Sequence, residues 1–272
     1  MNCNGKLIDL KTPKVMGILN VTPNSFFDGG KFDGEKQILN QIQKILSEGA
    51  DFVDIGAYSS KPNAEFVSES EEIARILPAL KSVLKQFPDI IVSIDTFRSE
   101  VARQCLENGA AIINDISAGS LDFKMMETVA KHNVPYIMMH MRGTPNTMQT
   151  MTNYEDIVKE MIFYFSEKIA LARSFGITDL IIDPGFGFAK TIEQNYEVLK
   201  KLELFEVLDL PLLAGLSRKS MIYKTLETTA ENALNGTSVL NTIALSKGAA
   251  ILRVHDVKEA VECVKLYKKT IV

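Results

Sequence analysis

Residues 34–55 read GEKQILNQIQKILSEGADFVDI. Ile38, Ile42 and Ile45 fall on one stripe at helical spacing, with charged residues on the other side. Gly49 then closes the helix, and an apolar run from Phe52 to Ile55 follows at once. Helix, glycine and strand return in that order at Gly109-Ala110-Ala111, Gly176-Ile177-Thr178 and Gly248-Ala249-Ala250, at spacings of 60, 67 and 72 residues. Each spacing holds two strand-helix units.

Eight apolar runs punctuate the chain: Val15-Leu19, Phe52-Ile55, Ile90-Ile94, Ile112-Ile113, Tyr136-Met139, Leu180-Ile182, Leu212-Ala214 and Ile251-Val254. They are nearly continuous rather than alternating, as strands of a parallel sheet covered on both faces should be. Eight such units, with no Pro-, Gly- or Ser-rich linker, predict an α/β fold: a single (β/α)8 TIM barrel spanning residues 1–272. A doubly wound open sheet is the alternative. The barrel places an active site at the C-terminal ends of its strands.

The composition is that of a globular protein, with 46% hydrophobic and 24% charged residues among 272. A net charge of -4 gives nucleic-acid binding no electrostatic support, though it leaves room for a local cationic pocket. The N-terminus has no apolar signal region and no run approaches the roughly 20 residues of a membrane span, so a soluble, cytoplasmic protein is expected. Cys3, Cys105 and Cys263 are too scattered for a disulfide framework or a zinc site and read as plain thiols.

Just past the apolar runs stand Asn20, Gly56-Ala57-Tyr58, Asp95, Asn114-Asp115, His140, Asp183, Gly215, Ser217-Arg218-Lys219, and Arg253 with His255. Each has a bland reading alone. Asp95, Asn114 and Asp115 could cap turns, Lys219 could be solvated, and His140 could be a satisfied core histidine. Arg253 is harder to dismiss, because it lies inside the apolar strand AAILRVHDV, where an unpaired cation is costly. Together the residues suggest two subsites. Carboxylate and amide acceptors suit a heterocycle rich in N-H donors, and Asn20, Arg253 and His255 suit a phosphate. Only three histidines occur, without metal-ligand spacing, whereas Mg²⁺ held by an amide or carboxylate on a phosphate is compatible.

The segment DPGFGFAK, residues 183–190, resembles a phosphate-binding glycine loop but carries Lys190 where a third glycine belongs. It reads better as a ligand floor, with Asp183 as anchor and Phe188 as a wall. Met138, Met139, Met141, Met148 and Met151 read mostly as gap-filling apolar surface, with Met139 also suited to lining a flat aromatic ligand.

GILNVTPNSFFDGG, DIGAYSSKP, SIDTFRSEV, GAAIINDIS, MMHMRGTPNTMQ, DPGFGFAKTIEQN, LLAGLSRKSMI and GAAILRVHDVKEAV occur in this order along the whole chain. Together they resemble the dihydropteroate synthase family. The resemblance implies a homodimeric barrel and a folate-pathway transferase that joins 6-hydroxymethyl-7,8-dihydropterin pyrophosphate to 4-aminobenzoate, releases pyrophosphate and is a sulfonamide target. It implies that Asp95, Asn114, Asp183 and Lys219 hold the pterin, with Ile116, Met139, Phe188 and Gly215 around it. Asn20, Arg253 and His255 would hold the pyrophosphate, and Asn20 would also ligate Mg²⁺. Loops carrying Phe26 and Asp28, and Ser60, Lys61 and Pro62, would close over 4-aminobenzoate beside Ser220. Phe26, Asp28, Lys219 and Arg253 are the catalytic candidates.

Departures from the family pattern fall in these loops. Asn24 stands where an acid is usual, and Tyr58, Ser60, Lys61 and Asn63 where glutamate, threonine, arginine and glycine are common. Lys61 keeps charge but loses a planar fork, so altered affinity for 4-aminobenzoate or its sulfonamide mimics is expected. Two other readings share the pterin contacts: a pterin-dependent methyltransferase and a non-catalytic pterin binder. The Arg253-Val254-His255 segment favours pyrophosphate chemistry over the first.

Overall fold

Eight parallel strands close on themselves in the computed structural model, which describes residues 1–21, 31–58 and 66–270. A hairpin of β1 (Asn2–Cys3) and β2 (Lys6–Leu7) precedes the barrel strands. These are β3 (Lys14–Asn20), β4 (Phe52–Gly56), β5 (Val92–Asp95), β6 (Ile112–Asp115), β7 (Tyr136–Met139), β8 (Leu180–Asp183), β9 (Leu212–Ala214) and β10 (Ala249–Val254). Around them run the described helices α1 (Lys31–Ser47), α2 (Glu69–Gln86), α3 (Ser99–Glu107), α4 (Met125–His132), α5 (Ile157–Ser174), α6 (Ile192–Lys200), α7 (Ser220–Thr225), α8 (Leu234–Ser246) and α9 (Val257–Thr270). Strand β10 pairs in parallel with β3, Leu252 opposite Val15 and Val254 opposite Gly17, so the barrel is closed and an open sheet is excluded.

The repeated glycine has a common cause. Gly49, Gly109, Gly176 and Gly248 all adopt φ between 91° and 99°, a conformation that costs a side-chain-bearing residue about 1 to 2 kcal/mol. On α1 the stripe of Ile38, Ile42 and Ile45 is buried against the barrel. A Cβ at Gly17 of β3 would lie 2.7 Å from Ile45 Cγ2, so glycine lets that helix dock closely. One strand begins later than its apolar run: Ile90 is held in a turn by its N-H to Phe87 O (3.2 Å), and β5 starts at Val92.

The hairpin was not legible as a strand pair. Asn4 and Gly5 both have positive φ, 49° and 84°, as a tight two-residue hairpin turn requires. Cys3, with Met1, Ile8 and Leu10, packs on Met16, Phe52, Ile112, Ile181, Leu213 and Ile251. Asn2 N-H donates to Asp179 Oδ2 (2.7 Å) and Asn4 Nδ2 to Ala110 O (3.2 Å), which pins the hairpin beneath the strand N-termini. That end is plugged with apolar side chains, and polar groups collect at the other. Cys3, Cys105 and Cys263 are buried free thiols. No described helix is long and apolar enough to cross a membrane.

Candidate active site

The parallel register brings Gly56, Asp95 and Asn114 side by side at the C-terminal ends of β4, β5 and β6, and sets Met139 opposite Asp183 on β7 and β8. Arg253, reaching in from β10, joins Asp95 to Asn114 through Asp54. Its Nε donates to Asp54 Oδ2 (2.6 Å) and its Nη2 to Asp95 Oδ2 (2.5 Å), while Asn114 Nδ2 donates to the same Asp54 oxygen (2.9 Å). Asp54 is wholly buried, and sequence reading passed over it as part of an apolar run. The signal was there. An acid inside FVDIG calls for a cation for the same reason that Arg253 calls for an anion.

Arg253, expected on the anion side, is thus bonded to the acceptor side, and the two expected subsites meet at one ion-pair network. Burial pushes Asp95 up to about 7, against the lowering effect of Arg253 and with the Asp54 charge adding to the rise. Its side chain keeps 22% of its surface open, so a ligand can reach it.

Asp183 ends β8, and its Oδ1 accepts from Gly185 N-H (2.8 Å). Burial raises its pKa, opposed chiefly by Lys219. Gly185 has φ of 66°, and a Cβ there would sit 2.3 Å from His140 O, so only glycine fits. Lys190, at the failed glycine position, is buried and donates to Gly185 O (3.1 Å), Phe188 O (3.0 Å) and His140 Nδ1 (3.0 Å). It fastens the loop from within, a role sequence reading did not assign. Burial brings it down to about 7. His140 is buried, packs edge-on against Tyr164 (4.9 Å) and is held well below the usual histidine range by burial and by Lys190, which suits a satisfied core histidine.

Lys219, which precedes α7, donates from Nζ to Phe186 O and lies 4.9 Å from the centre of the Phe188 ring. Burial lowers it to about 8, with Asp183 opposing the shift. Ser220 follows it as the first residue of α7. Gly215, past β9, leaves space beside Asp183, since a Cβ there would be 3.9 Å from Oδ2. Ile116, Met139, Met141, Met148 and Ala189 form a separate apolar cluster, joined by Phe97, Leu121 and Phe188. The acceptors therefore have an apolar wall beside them, with Met139 paired in register with Asp183.

On the anion side, Asn20 is exposed at the end of β3 and His255 is exposed just past β10. Ser217 Oγ lies 3.0 Å from His255 Nδ1 and accepts the His255 backbone N-H (3.2 Å), which fixes the ring's base. Arg218 grips Asp256 with two hydrogen bonds of 2.8 and 2.7 Å and is thereby structural. Asp115 is structural too: it accepts from Ser117 N-H and Oγ and Gly119 N-H, at 2.7 Å each, and from Tyr136 OH (2.7 Å). Tyr58 packs edge-on to Phe97 (5.2 Å) and lies beside the Arg98 guanidinium. Asn24, Phe26, Asp28, Ser60, Lys61, Pro62 and Asn63 lie outside the described residues.

A barrel mouth lined by acids, an amide, two cations and an apolar wall defines a class, and comparison with known proteins identifies it. The family model for pterin binding enzyme matches residues 16–255, and the chain belongs to that family. A relative from Synechocystis sp., a dihydropteroate synthase, is 44% identical over 94% of this chain and 89% of its own length. The crystal structure of Yersinia pestis dihydropteroate synthase in a sulfonamide drug complex superimposes with a TM-score of 0.93 at 39% identity, covering 100% of this chain and 98% of that one. The Xanthomonas albilineans dihydropteroate synthase with 4-aminobenzoic acid gives 0.91 at 36% identity, covering 99% and 97%. Within the pterin-binding enzymes, this chain belongs to the dihydropteroate synthases, the transferases of folate biosynthesis.

Proposed function

We propose that the chain condenses 6-hydroxymethyl-7,8-dihydropterin pyrophosphate with 4-aminobenzoate. The observation that carries this reading is the joining of Asp95 and Asn114 to Arg253 in one network, beside Asp183 and the apolar cluster of Ile116, Met139 and Phe188. Asp95, Asn114 and Asp183 take the ring's N-H edge, and Lys219 meets the ring from the Phe188 side. Arg253 and His255 receive the pyrophosphate.

The dihydropterin is electron-rich, so as pyrophosphate leaves the ring spreads the positive charge that develops at the methylene. Asp95 and Asp183 stabilise that charge, and Arg253 and His255 stabilise the departing anion. The arylamine is neutral at pH 7 and needs no strong base, so catalysis rests on positioning. The loops bearing Phe26, Asp28, Ser60, Lys61 and Pro62, with Ser220, are proposed to hold 4-aminobenzoate and exclude water. A sulfonamide would compete there, as an analogue of the arylamine.

Among the described residues no group of three His, Cys, Asp or Glu could hold a metal ion. Exposed Asn20 offers one neutral hard oxygen, which fits an ion carried in on the substrate's phosphates rather than a resident cage. A bound Mg²⁺ would supply neutralisation of the leaving group's charge. We further propose a cytoplasmic homodimer. A pyrophosphate ester is too charged to cross a membrane unaided, and α8 exposes Val239 (51%) and Ile243 (36%) one turn apart, the kind of apolar face a second copy would cover.

A coupled assay for dihydropteroate, run with and without Mg²⁺, tests the reading. Pyrophosphate release should require 4-aminobenzoate. Calorimetric binding of the pterin pyrophosphate without that release would leave a non-catalytic binder, and methyl transfer would leave the pterin-dependent methyltransferase.

A further inference from the structure

Asp54 touches no reacting atom in the scheme above, yet it stands at the centre of the site. Its side chain is 0% exposed, and its Oδ2 takes both Arg253 Nε (2.6 Å) and Asn114 Nδ2 (2.9 Å). Its Oδ1 has no hydrogen-bond partner among the described residues. A carboxylate paired with a guanidinium accepts and does not donate. The Asn114 amide must therefore turn its NH₂ toward Asp54, since the reverse orientation would set two oxygens against each other at hydrogen-bond distance. That leaves the Asn114 carbonyl oxygen as the group it can offer a ligand, an acceptor like those of Asp95 and Asp183. An amide free to flip could equally offer a donor.

We infer that Asp54 is a specificity-determining positioning residue: it fixes Asn114 as an acceptor for the N-H edge of the ring and fixes Arg253 through Nε for the anion. One buried oxygen thereby aligns the ring-recognising and anion-recognising groups. The inference rests on the pterin condensation proposed above and adds to it the residue that sets the polarity of the ring pocket.

Asp54→Asn tests it, with 6-hydroxymethyl-7,8-dihydropterin and inorganic pyrophosphate as separate calorimetric probes. Each affinity should fall about tenfold, while KM for 4-aminobenzoate stays within about twofold. In an Asn114→Ala background the substitution should cost the pterin clearly less than tenfold, the remainder acting through Arg253 on Asp95, and in an Arg253→Met background it should cost pyrophosphate nothing more. The exchange Asp54→Asn with Asn114→Asp restores an amide-carboxylate bond and an acceptor at the ring edge, and should recover at least about threefold in pterin affinity over Asp54→Asn alone. Additive losses in the two backgrounds, no recovery in the exchange, or unaltered affinities in a folded Asp54→Asn protein would overturn the inference. Failure of the unsubstituted protein to bind the pterin or to release pyrophosphate would instead remove the proposed function.

Discussion

Arg253 Nη2 lies 2.5 Å from Asp95 Oδ2, so the cation proposed for the pyrophosphate is held by an acid proposed for the pterin ring. Burial and the carboxylates of Asp54 and Asp95 bear on Arg253 in opposite senses, and the carboxylates win: its pKa is raised, and it stays charged. Ligand binding at either subsite acts on the same guanidinium.

Replacing Arg253 by methionine leaves Asp54 and Asp95 without their cation. A broken buried pair costs more than a removed one, so Arg253→Met should lose about 3 to 5 kcal/mol in urea unfolding at pH 7. Asp54→Leu combined with Arg253→Met should lose less than Arg253→Met alone. Equal losses would mean that Asp54 is not destabilised by solitude.

The pH dependence of the reaction follows from two groups. Asp95 must be ionised to accept from the ring and is pushed up to about 7, and Lys219 must keep its proton and is brought down to about 8. The kcat/KM for the pterin substrate should rise through the first value and fall past the second. Lys219→Arg should shift the alkaline limb upward, and a limb that stays in place would assign it to another group.

Stability carries the same signature. The folded pKa of Asp95 is raised from 3.8 to about 7, so its contribution is fully present below about pH 4 and is lost as pH rises to about 7. Lys219 is the opposite case: lowered from 10.5 to about 8, it contributes above 10.5 and the contribution is lost as pH falls through 8. Melting curves of Asp95→Asn against the unsubstituted protein should diverge between pH 4 and 7, and parallel curves would contradict the shift.

Two glycines of one loop should respond differently to a methyl group. At Gly185 the added Cβ meets backbone, His140 O at 2.3 Å, whereas at Gly187 its nearest neighbour is Lys219 Cδ at 3.5 Å. Both have positive φ, so Gly187→Ala should cost about 1 to 2 kcal/mol and Gly185→Ala clearly more, with a raised KM for the pterin as Phe188 moves. Thermal denaturation of both variants checks the order.

Asp183→Asn should weaken pterin binding more than tenfold, because an amide cannot accept a pair of N-H bonds as a carboxylate does. Calorimetry with the hydroxymethyl dihydropterin measures it. Near-normal affinity would reduce Asp183 to the partner of Gly185 N-H.

The helix-glycine-strand repeat, the order of the eight strands and most of the polar residues at the barrel mouth could be read from the chain alone. Such patterns are local: a buried stripe repeats every three or four residues, and a helix-ending glycine reports its own backbone angle. The bland readings of Asp115 and His140 also match their surroundings: Asp115 accepts from Ser117 and Gly119 in the turn that follows it, and His140 is held by Lys190 and packed on Tyr164.

Pairing across the barrel lay beyond the sequence. Asp54 and Arg253 are 199 residues apart, yet they meet because β10 closes on β3 and β4 lies next to β3. Lys190 read as an interrupted glycine motif until folding gave its ammonium three acceptors. Local chemistry determined which residues reach the mouth of the barrel. Closure of the sheet decided which of them share a charge, because electrostatic partners are chosen by distance in space and not along the chain.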